Sequence, residues 1–292
     1  MMEAGPRFNF SMTHRIIARL DIKGPNLVKG IHLEGLRVLG KPEDFAKYYY
    51  ENGADELLYM DVVASLYNRN SLHDIISKTA GDIFIPLTVG GGIRTIDDIR
   101  AVLRSGADKV SLNTAAVKNP SIIKEASRIF GSSTIAVSIE AIKQPDGKYF
   151  SYIDNGREET GLEVLEWAKK VESLGAGEII ITSVDKEGTG EGYDIGLTKM
   201  ISQNISIPVV ACGGAGSPDD IYRIITEGGA DAVVVASMLH YDFVKNHANT
   251  NNFINEGNIE FLKKGLIFSK IEPVSLKEIK NYLKHKGVSI RY

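Results

Sequence analysis

Two carboxylates occupy matching positions in a repeated stretch of this sequence. The stretch RIIARLD, which ends at Asp21, is echoed by TIAVSIE, which ends at Glu140. Carboxylates on opposite sides of a substrate can divide the roles of general acid and general base when their surroundings hold them in different protonation states. The sequence therefore predicts acid–base chemistry between Asp21 and Glu140. The alternative is that each carboxylate only pairs with a nearby lysine such as Lys23 or Lys29.

A second repeat consists of glycines that follow apolar runs. VGGGIRTIDDIR is echoed by ACGGAGSPDDIY, so that Gly91 and Gly92 match Gly213 and Gly214. Glycines at the end of a strand, followed by the start of a helix, let backbone N–H groups approach an anion. Two such loops facing each other suit a substrate with a phosphate at each end. The alternative is that these glycines only form tight turns.

Polar residues near these loops extend the candidate site. Asn113-Thr114 and Ala236-Ser237 end the next apolar run in each repeat and are expected to complete the two anion sites. Three carboxylates of an acidic, glycine-rich loop, SVDKEGTGEGYD, either contact substrate or lie in a solvated turn, namely Asp185, Glu187 and Asp194.

These residues need a scaffold that brings repeated loops to one face. Eight short apolar runs alternate with stretches of helical spacing, for example Thr95 to Ser105, and near-continuous apolarity is typical of strands buried on both faces. The pattern predicts a (β/α)8 TIM barrel made of two duplicated half-barrels, with the site at the carboxyl ends of the strands. A doubly wound open sheet is the alternative architecture.

Composition limits the class of protein. The chain has 292 residues, 43% hydrophobic residues and a net charge of −3, which is typical of a soluble globular protein and gives no reason to expect nucleic acid or a membrane as partner. The chain has one cysteine, Cys212, and no paired histidines, so we expect no disulfide framework, no metal and no cofactor. The same features predict a cytoplasmic location. Residues 1–11 are predicted to be a flexible extension, and 12–292 a single barrel domain with an insertion at about 242–272.

Several ordered motifs identify a family resemblance. They are RIIARLDIKG, ADELLYMDVVAS, IPLTVGGGIR, GADKVSLNTAAVKNP, GAGEIIITSVDKEGTGEGYD and GGAG. Together they resemble HisF, the cyclase subunit of imidazole glycerol phosphate synthase, from about Arg15 to His240 and again near Pro273. The resemblance implies a half-barrel duplication that uses ammonia from a HisH-type glutaminase, in a heterodimer. Its reaction converts a bis-phosphorylated formimino ribonucleotide into imidazole glycerol phosphate and an aminoimidazole carboxamide ribotide, in histidine biosynthesis.

The resemblance also assigns roles to individual residues. It implies catalytic roles for Asp21 and for the position of Glu140. Substrate or phosphate contacts are implied for Lys29, Gly92, Asn113, Thr114, Glu187, Gly188, Gly214, Ala236 and Ser237. A charged ring that gates the entry of ammonia is implied for Arg15, Glu56, Lys109 and Glu178. A purely structural ring is the alternative for these four charges.

Four departures from the family pattern lie near the expected substrate. Glu140 and Glu187 stand where the family has aspartates, Arg19 stands where the family commonly has a small residue, and 242–272 lengthens the connection after strand eight. These departures leave open a HisF-like subunit that passes ammonia to an amidotransferase in acetamidino-sugar synthesis for surface polysaccharides. A noncatalytic activator or scaffold for the glutaminase is a more distant alternative.

Overall fold

A computed structural model describes residues 13–64, 72–247 and 270–291. The strands of these residues are β1 (Arg15–Lys23), β2 (Asn26–Ile31), β3 (Glu34–Gly40), β4 (Glu56–Asp61), β5 (Leu87–Gly90), β6 (Lys109–Leu112), β7 (Ile135–Lys143), β8 (Tyr149–Ile153), β9 (Glu158–Glu163), β10 (Glu178–Ser183), β11 (Val209–Cys212) and β12 (Ala232–Val235). The helices are α1 (Pro42–Glu51), α2 (His73–Asp82), α3 (Ile96–Arg104), α4 (Thr114–Lys118), α5 (Ser121–Phe130), α6 (Val164–Ser173), α7 (Ile195–Ser202), α8 (Pro218–Thr226), α9 (Ser237–His247) and α10 (Leu276–His285).

Eight of the strands close into a parallel barrel. Their order is β10-β11-β12-β1-β4-β5-β6-β7, and β7 pairs in turn with β10. This closure confirms the predicted (β/α)8 barrel and excludes the open doubly wound sheet, which would leave two edge strands unpaired. Among the described residues, no helix is long and apolar enough to cross a membrane.

The helices that follow the two glycine loops begin in the same way. Thr95 caps α3 and Ser217 caps α8, each in a capping box in which the side chain of Asp98 or Asp220 accepts from the capping residue's own backbone N–H. The helix predicted from Thr95 to Ser105 is therefore confirmed with Thr95 as its cap. Because the same capping box follows both glycine loops, the two loops lead into their helices in the same way.

Two antiparallel hairpins extend the barrel and were not predicted. β2 and β3 continue from β1, while β8 and β9 continue from β7. Because each hairpin follows the first strand of its half, the hairpins repeat with the half-barrels. Their turns also touch: the Asn155 side chain donates to the Leu33 carbonyl at 2.9 Å. The hairpins therefore form a wall beside the barrel mouth.

The barrel interior is lined by small apolar side chains. Ile17, Leu58, Ala136, Ile180, Val210, Ala232 and Val234, with Cys212, form a cluster separate from the larger core between strands and helices. Cys212 is buried, as expected of a packed side chain. This cluster forms an apolar part of the interior between the two ends of the strands.

The segment after β12 begins as a helix. Residues 242–247, at the start of the predicted insertion, belong to α9, which continues to His247. Residues 248–269 and the extension 1–11 lie outside the described residues. The chain resumes at Lys270, and the N–H of Glu272 donates to the carbonyl of Gly216 at 2.8 Å, which attaches this segment to the second glycine loop.

Candidate active site

The glycine loops after β5 and β11 have the same backbone conformation. Gly91 has φ +93° and Gly213 has φ +94°, values that side chains rarely tolerate. A Cβ on Gly91 would lie 2.2 Å from the carbonyl oxygen of Asp61. The glycines are thus required by the turns themselves, and the turns bring backbone close to the barrel mouth on both sides.

The first loop opens into a pocket of ≈ 370 Å³. Four residues expected from sequence line it: Gly92, Asn113, Thr114 and Glu140. Arg94, Lys118, Asp154 and Asn155 also line it and were missed. The two cations suit an anionic ligand, and the last two residues come from the turn of the unpredicted hairpin. The Asn-Gly pair at 155–156 is a strong hairpin signal that the sequence did contain.

The second loop forms a much smaller pocket, of ≈ 20 Å³. Five expected residues line it, namely Glu187, Gly188, Gly214, Ala236 and Ser237. Arg19 and Cys212 lie against the same space. The duplicated loops are therefore alike in backbone and different in free volume, and Arg19 is among the residues that line the smaller pocket.

Asp21 is held by Arg19 inside the mouth of the barrel. The Nε–H of Arg19 donates to Oδ1 of Asp21 at 2.7 Å, and one terminal N–H donates to Sγ of Cys212 at 3.2 Å. Asp21 lines neither pocket. In the described part of the chain, the ion pair of Asp21 is with Arg19, and no lysine forms an ion pair with Asp21 or Glu140, although the charge of Lys29 acts on Asp21.

Lys29 and Glu187 form a second buried ion pair. Lys29 Nζ lies 2.6 Å from Oε1 of Glu187, and both side chains are buried. Burial alone would raise the pKa of Glu187, but the charges of Lys29 and Arg19 outweigh it and lower the pKa to about 2. Of the three candidate carboxylates in the acidic loop, Glu187 alone reaches the mouth, since Asp185 binds the N–H of Lys143 and Asp194 caps α7.

Glu140 has a different environment. Its Oε2 accepts the N–H of Gly156 at 2.7 Å, from the turn of the second hairpin. Burial raises the pKa of Glu140 to about 7, although the Gly156 N–H, the charge of Arg19 and the Asn113 side chain oppose the rise. A carboxyl group with this pKa exchanges a proton near neutral pH, which suits a general acid or base.

Four charged side chains form a closed ring at the opposite end of the barrel. Arg15 bonds to Glu56 at 2.7 Å and to Glu178 at 2.9 Å, and Lys109 bonds to Glu56 at 3.1 Å and to Glu178 at 3.0 Å. Each is the first residue of its strand. Alternating signs compensate the partial burial of the charges, and Thr88 donates a further hydrogen bond to Glu56 at 2.6 Å.

Within residues 13–64, 72–247 and 270–291, no group of three or more His, Cys, Asp or Glu side chains is placed to hold a metal ion.

Comparisons with known proteins agree with the motifs and the fold. Residues 15–245 match a family described as "Histidine biosynthesis protein". A protein named imidazole glycerol phosphate synthase subunit HisF, from Legionella pneumophila, is 56% identical over 206 residues, which cover 70% of this chain and 97% of that protein. Proteins of the same name from Methanocaldococcus jannaschii and Alkaliphilus metalliredigens are 49% and 48% identical, over 79% and 80% of this chain and 92% of each relative. With this identity over most of its length, the chain belongs to the HisF family.

Proposed function

We propose that the protein is the cyclase subunit of imidazole glycerol phosphate synthase. It uses ammonia from a HisH-type glutaminase to convert a bis-phosphorylated formimino ribonucleotide into imidazole glycerol phosphate and an aminoimidazole carboxamide ribotide. The observation that carries the proposal is the pair of carboxylates, Asp21 and Glu140, that end equivalent strands of a duplicated barrel between two equivalent glycine loops.

The mouth of the barrel suits a substrate with two phosphates. The first phosphate would be bound at the pocket of Gly92, Asn113 and Thr114, where the helix start and Lys118 add positive potential. The second would be bound at Gly188, Gly214 and Ser237. Asp21 and Glu140 would then act on the reacting centre that lies between the phosphates.

The barrel interior suits the passage of ammonia. Neutral ammonia enters an apolar interior far more easily than ammonium, because burial of an isolated charge is strongly unfavourable. The ring of Arg15, Glu56, Lys109 and Glu178 would close the entrance until one ion pair opens. Ammonia would then pass the apolar cluster and reach the mouth near Asp21.

A glutaminase partner would dock at the end of the barrel that carries this ring. Phe84, which precedes β5 on that side, has 82% of its surface exposed. A large exposed aromatic residue beside the entrance is typical of a surface that a partner covers.

Phe84→Ser should weaken association with the glutaminase. Phe130→Ser would be a poor control, because Phe130 packs on the core and its loss would destabilise the fold. Exposed Lys124→Ser, on α5, serves instead and should leave association unchanged.

The cyclase is tested without the glutaminase. Purified protein is given the formimino ribonucleotide and an ammonium salt at mildly alkaline pH, and substrate loss and both products are followed. The proposal predicts turnover of about 1 per second or more and equal amounts of the two products. Folded protein that shows no turnover would contradict it.

One observation favours a second candidate, an ammonia-delivering subunit for an amidotransferase in acetamidino-sugar synthesis. The pocket at the second loop, which Arg19 lines, has a volume of only ≈ 20 Å³, against ≈ 370 Å³ at the first loop, while the charged ring at the entrance is intact. This candidate predicts no cyclase turnover by folded protein that still stimulates a glutaminase. The ammonium assay therefore separates the two candidates.

A further inference from the structure

The two half-barrels differ in charge beside their carboxylates. Two positions before Asp21, β1 carries Arg19, and two positions before Glu140, β7 carries Ser138. Side chains two apart on a strand lie on the same face, so each of these residues is placed to act on its carboxylate. Arg19 and Ser138 are both buried, with 5% of their surface exposed. The two half-barrels therefore differ at this position by one buried positive charge.

The two hairpins differ in charge in the same direction as the two strands. Val28 pairs with Asp21 and Tyr152 pairs with Glu140, so the next residues, Lys29 and Ile153, are equivalent. Lys29 adds a second buried cation to the first half, whereas Ile153 is apolar.

The ionisable groups around each carboxyl group follow this division. Asp21 faces Arg19 on its own strand and Lys29 from the hairpin, and Glu187 is bound to Lys29. On the neighbouring strand β4, the residue paired with Asp21 is the uncharged Met60. The groups around Glu140 are its neighbour Asn113, the N–H of Gly156, the Asp154 carboxylate and the more distant charge of Arg19. In the part of the chain that the structure describes, no cation forms an ion pair with Glu140.

We propose that Arg19 is a positioning residue that divides the proton-transfer roles of the duplicated site: Asp21 enters the reaction ionised, as the base, and Glu140 enters it protonated, as the acid. The division rests on the proposed cyclase function. Protonation of Asp21 would leave the buried guanidinium of Arg19 without its carboxylate partner, which is strongly unfavourable. Ionisation of Glu140 would bury a carboxylate that one backbone N–H, rather than a cation, contacts.

Access to solvent fits the same division. Glu140 lines the larger pocket, so a proton that it gives to the substrate can be replaced from water. Asp21 lines neither pocket, and its side chain is only 4% exposed, so it exchanges protons with a group that is bound in the mouth. Each turnover then returns both residues to their starting forms when Asp21 releases its proton to product or water and Glu140 regains one.

The division is tested by carbon-13 NMR of labelled Asp and Glu carboxyl groups, titrated without substrate. The two signals are assigned by their loss in Asp21→Asn and Glu140→Gln. In the unaltered protein, Asp21 should be ionised at pH 7 while Glu140 titrates in that region. In Arg19→Ser, which copies the other half-barrel, the Asp21 signal should show more of the protonated carboxyl group at the same pH, because the carboxylate loses its paired cation.

Two further variants complete the test. Arg19→Lys keeps a cation and should restore most of the normal Asp21 titration, and it remains informative if the serine variant fails to fold. Lys23→Ser removes an exposed cation two residues after Asp21 on the same strand and should change neither titration. A protonated Asp21 beside an ionised Glu140 at pH 7 would overturn the proposal, as would an Asp21 titration that is identical in the Arg19 variants.

The cyclase assay distinguishes this inference from the function on which it rests. If the protein turns over substrate, the acid limb of its pH–rate profile should move upward in Arg19→Ser and return in Arg19→Lys. An unmoved limb in an active enzyme overturns the division of roles alone. Absence of turnover in every form overturns the cyclase function, while the titrations still report the protonation states.

Discussion

The guanidinium of Arg19 donates from Nε to Oδ1 of Asp21 at 2.7 Å, and both side chains are almost completely buried. The contact makes a duplicated site asymmetric, because Ser138 occupies the equivalent position beside Glu140. Arg19 also lines the small pocket at the second glycine loop. The single difference between Arg19 and Ser138 therefore affects the surroundings of a catalytic carboxylate and the lining of a substrate pocket.

Asp21→Asn should reduce cyclase turnover by about 10²–10⁴-fold, because general acid–base catalysis contributes this much. The variant should also lose up to about 3 kcal/mol of unfolding free energy, since the Arg19 charge stays buried with a neutral partner. Steady-state kinetics and chemical denaturation measure the two effects. Asp146→Asn, at an exposed turn between β7 and β8, is the control and should change neither. Full activity of Asp21→Asn would exclude Asp21 from the chemistry.

Glu140 should make the unfolding free energy depend on pH in a defined direction. Its pKa is about 7 in the folded protein against an ordinary value of 4.5, so the folded state holds a proton that the unfolded state releases between these pH values. Stability should therefore fall by about 3 kcal/mol as pH rises from about 4.5 to 7. Glu140→Gln should remove this slope and be the more stable protein at pH 8. An unchanged slope in urea denaturation at several pH values would contradict the assignment.

The buried Lys29–Glu187 pair should show strong coupling in a double-mutant cycle. Lys29→Met or Glu187→Gln alone leaves one buried charge with a weaker partner and should lower the unfolding free energy by about 3–5 kcal/mol. The double variant should lose clearly less than the sum of the two losses. Because the pKa of Glu187 is lowered to about 2, the contribution of the pair should be present above about pH 4.5 and lost as pH falls toward 2. Strict additivity of the single losses would show that the residues do not interact.

Gly91→Ala should destabilise the protein by about 3 kcal/mol or more and raise the KM for substrate. The new Cβ would lie 2.2 Å from the Asp61 carbonyl and would add to the strain of φ +93°. Gly147→Ala is a matched control, because Gly147 has φ +87° with nothing within 4 Å of its Cβ position. This control should lose about 1–2 kcal/mol and keep normal kinetics. Equal stability losses in thermal unfolding would show that the close approach to Asp61 is unimportant.

The barrel was predictable from sequence because its strands are buried on both faces. Near-continuous apolar runs, such as Glu178–Ser183, stand out between amphipathic helices, and the repeat of glycines places the two loops at matching positions. The first hairpin carries a weaker signal, because His32 and Leu33 both adopt positive φ in its turn without a glycine or asparagine. Sequence patterns of this kind do not predict such a turn.

The partners within the site were less predictable. Arg19 and Asp21 are two apart on one strand, so their shared face follows from strand geometry. The contact between Lys29 and Glu187 depends instead on how the first hairpin packs on the loop after β10, where the N–H of His32 also donates to the Glu187 carbonyl at 2.9 Å. Burial raises the pKa of Glu140, and the opposing hydrogen bond comes from Gly156, which belongs to the hairpin that the eight-unit pattern omitted.

Cyclase turnover with free ammonium salt tests the central claim most directly. The formimino ribonucleotide and the purified protein are combined without any glutaminase, and both products are quantified. The account predicts turnover of about 1 per second or more, with imidazole glycerol phosphate and the carboxamide ribotide formed in equal amounts. Protein that is folded by circular dichroism, yet forms neither product, would contradict it.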